Sequence, residues 1–228
     1  MARRTGWRRD RIRLTKVALT HWAGPAAALH ARPVTPMNRL NVLHATRPAI
    51  VLGRAQKVRE DIESAAGAAG FAVARRVSGG TEVVVGPGEC VWVDVVVARD
   101  GPGWNDDIGK AGCWMGDQWV AALAEAGVDG AIVHRTAMEK RPGSDAVCFA
   151  GVGPGEVLLG DGSKIVGVSQ RRTRAWALFQ CAIPLQWDPA PLVSVLGPSA
   201  EPANDAQVGV LPSETAAAAV SALAALLG

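Results

Sequence analysis

Glu156-Val157-Leu158-Leu159-Gly160-Asp161-Gly162-Ser163-Lys164-Ile165-Val166-Gly167-Val168-Ser169-Gln170 is the stretch whose reading decides the fold. An Asp-Gly pair between β-branched runs favours a tight turn with positive φ, so residues 156–159 and 164–168 are predicted to be antiparallel neighbours. Similar runs recur on both sides. Val83–Val85 and Val91–Ala98, bounded by Gly86-Pro87-Gly88 and Asp100-Gly101-Pro102-Gly103, read as a hairpin of buried strands, and residues 146–149 and 176–183 read as further strands. Helices interleave with them. Ile108, Gly112, Met115, Trp119 and Leu123 recur at helical spacing between the capping side chains of Asn105-Asp106-Asp107 and a stop at Gly127. A helix over 58–69, with Ile62, Ala65, Ala66 and Ala69 inward, leads into a strand at 71–75, and a last helix runs from an N-cap at Ser213 to Leu227. Residues 135–144 read as a polar, flexible loop, and no internal repeat is visible. The expected class is α+β, a mixed or antiparallel sheet with helices packed mostly on one side.

A chain of 228 residues, 49% apolar and 20% charged, is sized for one hydrophobic core and excludes a largely disordered protein. One domain over residues 17–228 is expected, behind a basic arm over residues 1–16. The stretch nearest to a membrane span, Ala216–Leu227, is short and Ala-rich and cannot cross a bilayer. The net charge of +3 is placed unevenly, with Arg3, Arg4, Arg8, Arg9, Arg11, Arg13 and Lys16 in the arm. That arm is either a nucleic-acid or acidic-lipid contact or a solvated terminus, and nothing downstream supports nucleic-acid binding. The stretch from Leu14 to Trp22 is too polar for a secretory h-region, so a cytoplasmic protein is expected. Cys90, Cys113, Cys148 and Cys181 include no C-x-x-C pair and no His at zinc-ligand spacing. No metal site or disulfide framework is expected, and each thiol is a buried hydrophobe or a reactive group.

Four segments carry candidate chemistry. Arg75-Arg76-Val77-Ser78-Gly79-Gly80-Thr81 is a strand end feeding a glycine pair flanked by cations, either an anion-binding loop or a tight turn with solvated arginines. Lys164 begins an otherwise apolar strand, where an ammonium is costly to bury unless it meets an anion; the alternative is an exposed residue after a turn. Cys148, in Ala146-Val147-Cys148-Phe149-Ala150-Gly151, lies within reach of Lys164 across the hairpin. Ile50-Val51-Leu52-Gly53-Arg54-Ala55-Gln56 is a buried strand ending in glycine and two polar side chains.

In order and content these segments, from about Arg47 to Ile183, resemble the lipoate-protein ligase and octanoyltransferase family, which shares a catalytic domain with biotin-protein ligase. The resemblance implies that fold, related to class II synthetases. It places Arg76, Ser78, Gly79 and Gly80 along an acyl or acyl-adenylate tunnel, and Lys164 on the acyl carbonyl or adenylate phosphate. Arg54, Gln56, Gly167 and Gln170 belong to the matching hallmark segments. Cys148-Phe149 is similar to the cysteine-dependent octanoyltransferases of the LipM kind, where ATP-dependent ligases carry an Asn-Asp type segment. Cys90, Cys113 and Cys181 fall within strand or helix patterns and are assigned to packing. The family loop continues with a third glycine and a histidine, whereas this chain has Thr81, Glu82 and Val85, and Glu82 is expected to set a carboxylate beside the tunnel. The stretch beyond Pro184 is too short for the accessory domain of classical ligases, which favours a transferase unless a partner chain supplies that domain.

The resemblance thus implies transfer of an octanoyl or lipoyl group to a lysine of a lipoyl-domain protein through a Cys148 thioester. The donor is an acyl carrier protein or free lipoate or octanoate. The transferase route requires no cofactor. The alternatives are an ATP-dependent ligase using ATP and Mg²⁺, and a non-catalytic acyl-binding homologue.

Overall fold

The computed structural model describes residues 17–228, so the arm expected over residues 1–16 lies outside the described residues. In chain order the first half contains β1 (Ala18–Gly24), α1 (Ala26–His30), β2 (Arg39–Ala45), β3 (Ala49–Leu52), α2 (Glu60–Ala68), β4 (Ala72–Arg75), β5 (Val83–Val85) and β6 (Cys90–Ala98). The second half contains α3 (Ile108–Glu125), β7 (Ile132–Val133), β8 (Val157–Leu158), β9 (Lys164–Arg172), β10 (Trp176–Pro184), α4 (Ala190–Leu196) and α5 (Ser213–Leu227). Seven strands form one mixed sheet in the order β1-β2-β6-β10-β9-β8-β7, and three form a second, β4-β3-β5. The class is α+β, as expected.

Period-two alternation sorts the strands' side chains between layers. Along β6, Val93, Val95 and Val97 join the core beneath α3 and α5, while Trp92 packs on the other face against Ala49 and Val51 of β3 and Val85 of β5. Ile50 of β3 points away from the large sheet into a cluster with Ile62 and Ala66 of α2 and Leu192 of α4. The layers are therefore α3 with α5, the large sheet, the small sheet, and α2 with α4, so there are two sheets with helices on both outer faces, not one sheet with helices mostly on one side. Among the described residues no helix is long and apolar enough to cross a membrane.

The decisive hairpin forms as expected: Val157 pairs with Val166 and Leu158 with Lys164, and Gly162 takes φ +85 in the turn. Asp107 caps α3 by accepting from the Lys110 amide at 3.0 Å. Several expectations need correction. β5 and β6 are not a hairpin, because Gly86-Pro87-Gly88 carries the chain from the small sheet to the large one. The run 146–149 is not a strand; residues 148–150 form a 3₁₀ turn, held to the glycine loop by the Cys148 amide donating to the Glu82 carbonyl at 2.8 Å. Ile108 is exposed as the first residue of α3, and Ala69 lies exposed beyond the end of α2. Ser213 is the first residue of α5, not its cap, because Pro212 already occupies the cap position with no side-chain bond.

Candidate active site

The glycine loop leaves β4 and folds back over the end of β3. Gly53 and Gly80 meet so closely that a Cβ on Gly53 would lie 1.8 Å from the Gly80 carbonyl oxygen. Gln56 does not reach a site; its Oε1 accepts from the Gly53 amide at 2.7 Å and braces this crossing. Arg76 is buried and closes the loop from inside, its Nε donating to the Gly79 carbonyl at 2.8 Å and its Nη2 to the Thr81 carbonyl at 2.9 Å. The same Nη2 lies 3.4 Å from Cys148 Sγ. Gly80 has φ +100, and a Cβ there would sit 2.3 Å from Arg76 Nη2 and 3.3 Å from Cys148 Sγ, so glycine is required both by conformation and by space. The sequence-predicted set Arg76, Gly80 and Cys148 is therefore one cluster.

A slot runs between the two sheets from this cluster, lined by Val51, Val83, Val85, Trp92, Phe149 and Ala182, with Cys148 in its wall. Gly167 also lines it; a Cβ at this position would come within 3.1 Å of the Phe149 ring. Gln170 stands three residues further along β9, so it faces the opposite side of the sheet and donates to the Ile108 carbonyl at 2.7 Å. It does not join the site. Glu82 does not line the slot: the buried residue contributes its backbone carbonyl to Cys148, while Val83 and Val85 supply the wall.

Lys164 is completely buried, and its ammonium donates to the Cys148 carbonyl at 2.8 Å, the Gly151 carbonyl at 2.7 Å and Glu156 Oε2 at 3.0 Å. Three N–H groups meet three acceptors, which accounts for a charge otherwise too costly to bury. Glu156 accepts in addition from the amides of Gly153 at 2.7 Å and Val168 at 3.3 Å. Lys164 thus grips the backbone of the Cys148 turn and does not line the slot. Glu156 was not singled out from sequence, although a lone carboxylate in Gly155-Glu156-Val157-Leu158-Leu159, opposite a lone lysine, was the available signal.

A second group missed in the sequence is a polar row on the slot side of the large sheet. Register places Thr20 opposite Asn41, Asn41 opposite Asp94, Asp94 opposite Gln180, and Gln180 opposite Ser169. Ser78 is drawn into this row, donating to Gln180 Oε1 at 2.7 Å and sharing a 2.8 Å hydrogen bond with Ser169 Oγ. Asp94 Oδ1 accepts from Trp92 Nε1 at 2.9 Å and Gln180 Nε2 at 3.1 Å. Burial nevertheless raises the Asp94 carboxyl to about 6, against these hydrogen bonds and the more distant pull of Arg32. Beside the row lies a cleft of about 250 Å³ bordered by Arg32, Arg39 and Arg171, and Arg54 borders an adjoining one with Arg75 and Arg76. Gly79 is exposed on the loop.

The remaining cysteines differ from Cys148. Burial pushes the Cys181 and Cys90 thiols up to about 12, in keeping with packing roles. Cys113 is half-buried on α3 and lies outside the core clusters, so its expected packing role is peripheral. Among the described residues no group of three His, Cys, Asp or Glu side chains is placed to hold a metal ion. A thiol beside a guanidinium in the wall of an apolar slot suits nucleophilic capture of an aliphatic acyl group.

Comparison with known proteins bears on the fold. The family model for the lipoyl protein ligase A/B catalytic domain matches residues 18–224. The fold is similar to protein Ta0514 of T. acidophilum with bound lipoic acid, at 20% identity over 88% of this chain and 77% of that one, with a TM-score of 0.60. It is similar to lipoate-protein ligase A bound with ATP, at 19% identity over 93% and 86%, with a TM-score of 0.61. It is also similar to a bi-partite lipoate protein ligase from Thermoplasma acidophilum, studied with its E2 lipoyl domain, at 16% identity over 93% and 84%, with a TM-score of 0.59. A search of curated proteins gave no match.

Proposed function

Because the chain belongs to the lipoyl protein ligase A/B catalytic-domain family, we propose that it moves an octanoyl or lipoyl group onto a lysine of a lipoyl-domain protein through a thioester on Cys148. The observation that carries this reading is the position of Cys148 Sγ in the slot wall, 3.4 Å from the Arg76 guanidinium. The aliphatic chain lies in the slot. The Cys148 sulfur attacks the thioester carbonyl of an acyl carrier protein, the carbonyl–sulfur bond to the carrier breaks, and the proton lost by Cys148 leaves on the carrier thiol. In the second half the acceptor lysine amine attacks the Cys148 thioester, forming an amide and returning the proton to the thiol. Arg76 donates toward the reacting sulfur, Gly80 leaves room for it, and Ser78 fixes the loop to the polar row. Lys164, itself held by Glu156, acts one step back by donating to the Cys148 carbonyl and thus fixing the turn that presents the thiol.

The arginine cleft favours a second reading. Arg32, Arg39 and Arg171 suit the phosphates of a carrier's prosthetic arm, and equally those of ATP in a ligase that activates free lipoate or octanoate. The described residues offer no cluster of protein ligands for Mg²⁺, so an ion accompanying ATP would rest chiefly on phosphate and water. Intact-mass spectrometry after mixing with octanoyl-carrier protein, and separately with lipoate plus ATP, separates the readings. A gain of one acyl group from the carrier, removed by hydroxylamine, supports the transferase. Acyl-adenylate made only with ATP supports the ligase. Binding with neither product marks a non-catalytic homologue.

A further inference from the structure

The geometry points to His30 as the hydrogen-bond donor, through its Nε2–H, for the carbonyl oxygen of the acyl group carried in the slot. This rests on the acyl-slot reading above. His30 closes α1 and lines three cavities at once: the apolar slot, the Arg32–Arg39–Arg171 cleft, and the cleft of Arg54, Arg75 and Arg76. It therefore stands where an aliphatic chain ends and the polar group attached to it begins. The residue is only 8% exposed, yet Nε2 has no hydrogen-bond partner. A buried N–H without an acceptor is costly and rare, and at a cavity wall it marks a place for a ligand atom.

The surrounding network fixes which nitrogen bears the proton. Gln180 Oε1 accepts from Ser78 and its Nε2 donates to Asp94, so the amide orientation is set from both ends. That leaves the second Nε2 hydrogen facing His30 Nδ1 at 3.4 Å, which makes Nδ1 the acceptor and places the ring proton on Nε2. The ring is further held against Trp92, with centroids 4.3 Å apart. The charged groups around it are Arg76, Arg32 and, through Gln180, Asp94; burial, with help from the two arginines, lowers its pKa to about 3 and keeps it a neutral donor. Several of the other donors around Cys148 are already engaged. The Lys164 ammonium has three internal acceptors, the Cys148 amide serves the Glu82 carbonyl, and Arg76 holds two loop carbonyls.

Octanamide tests this directly, because it offers the same chain and carbonyl oxygen but has no thioester for Cys148 to attack. Its affinity is measured by calorimetry at pH 8 on the full chain for wild type, His30→Phe and His30→Gln. His30→Phe keeps the stack on Trp92 but loses the donor, and about a tenfold weaker affinity is expected, the size of one neutral hydrogen bond. His30→Gln restores an N–H and is expected to recover most of that loss, which a merely space-filling histidine would not allow. The rate of Cys148 acylation by octanoyl-carrier protein should fall in His30→Phe by about 10² if the same bond strengthens in the transition state. Equal octanamide affinity in wild type and His30→Phe overturns the inference, as does a loss that His30→Gln does not recover. Failure of the thioester reading shows elsewhere, as acyl transfer that survives Cys148→Ser while octanamide binding still depends on His30.

Discussion

Asp94→Asn is expected to stabilise the protein at neutral pH and to do almost nothing at pH 4. The Asp94 carboxyl is raised by burial from 3.8 to about 6, so the folded chain binds a proton more tightly than the unfolded one. The stability tied to this group is fully present below about pH 4 and is lost as pH rises through about 6. A shift of about two units corresponds to about 3 kcal/mol at pH 7 to 8. Asparagine keeps an Oδ1 acceptor for Trp92 Nε1 and Gln180 Nε2 but cannot ionise. His30 works in the opposite sense: its pKa is lowered to about 3, so the unfolded chain binds more protons between pH 6.5 and 3 and acid removes stability. In the wild type the two slopes oppose each other between about pH 4 and 6, whereas Asp94→Asn leaves only the histidine's and falls steadily on acidification. Urea unfolding followed by tryptophan fluorescence, at unit steps from pH 4 to 8, gives the difference between the two proteins. Comparing that difference at pH 8 and pH 4 cancels any constant effect of the amide. A change of about 3 kcal/mol is expected, and a difference that is flat with pH would refute the assignment of a strained carboxylate to this row.

Lys164→Ala is expected to cost about 3–5 kcal/mol of stability, because Glu156 is left as an unpaired buried carboxylate, and to slow acyl transfer by at least about 10². Lys164→Arg is expected to rescue little, since a planar fork does not match the three acceptors. The double variant Glu156→Gln, Lys164→Met should regain most of the stability without regaining transfer; a Lys164→Ala protein as stable as wild type contradicts the clamp. Gly53→Ala forces its Cβ into the Gly80 carbonyl and is expected to lower both melting temperature and acylation. Gly67→Ala, on α2 with nothing within 4 Å of the added methyl, should gain about 0.5–1 kcal/mol, and equal responses at the two positions would disprove the loop contact.

The long elements were legible because their patterns are strong: β6 and β9 follow from β-branched runs and the Gly160-Asp161-Gly162 turn, β10 from a mostly apolar run, and α3 from a helical period. Gly86-Pro87-Gly88 misled because turn chemistry shows that a chain bends, not which sheet it enters next. Residues 146–149 misled because a short buried apolar run has no period to separate a strand from a 3₁₀ turn. β1, β2, α1 and α4 went unread; β1 is largely exposed and α1 has five residues, too few to show a face. At the site, Arg76 and Gly80 were found through the ordered hallmark segments, and Cys148 through the likeness of Cys148-Phe149 to the cysteine-dependent octanoyltransferases. The polar row was not, although Asn41, Asp94 and Gln180 each interrupt an apolar strand. Their meeting depends on cross-strand register, which a single sequence does not contain. Gly167 and Gln170 of the same hallmark segment part company because three residues along a strand reverse the face.

Single-turnover transfer from octanoyl-carrier protein to an apo lipoyl domain, measured for wild type and Cys148→Ser with and without ATP, tests the central claim most directly. The account expects ATP-independent transfer by the wild type, passing through a hydroxylamine-sensitive acyl adduct on Cys148, and no adduct or transfer by Cys148→Ser. Transfer by Cys148→Ser at the wild-type rate would contradict it.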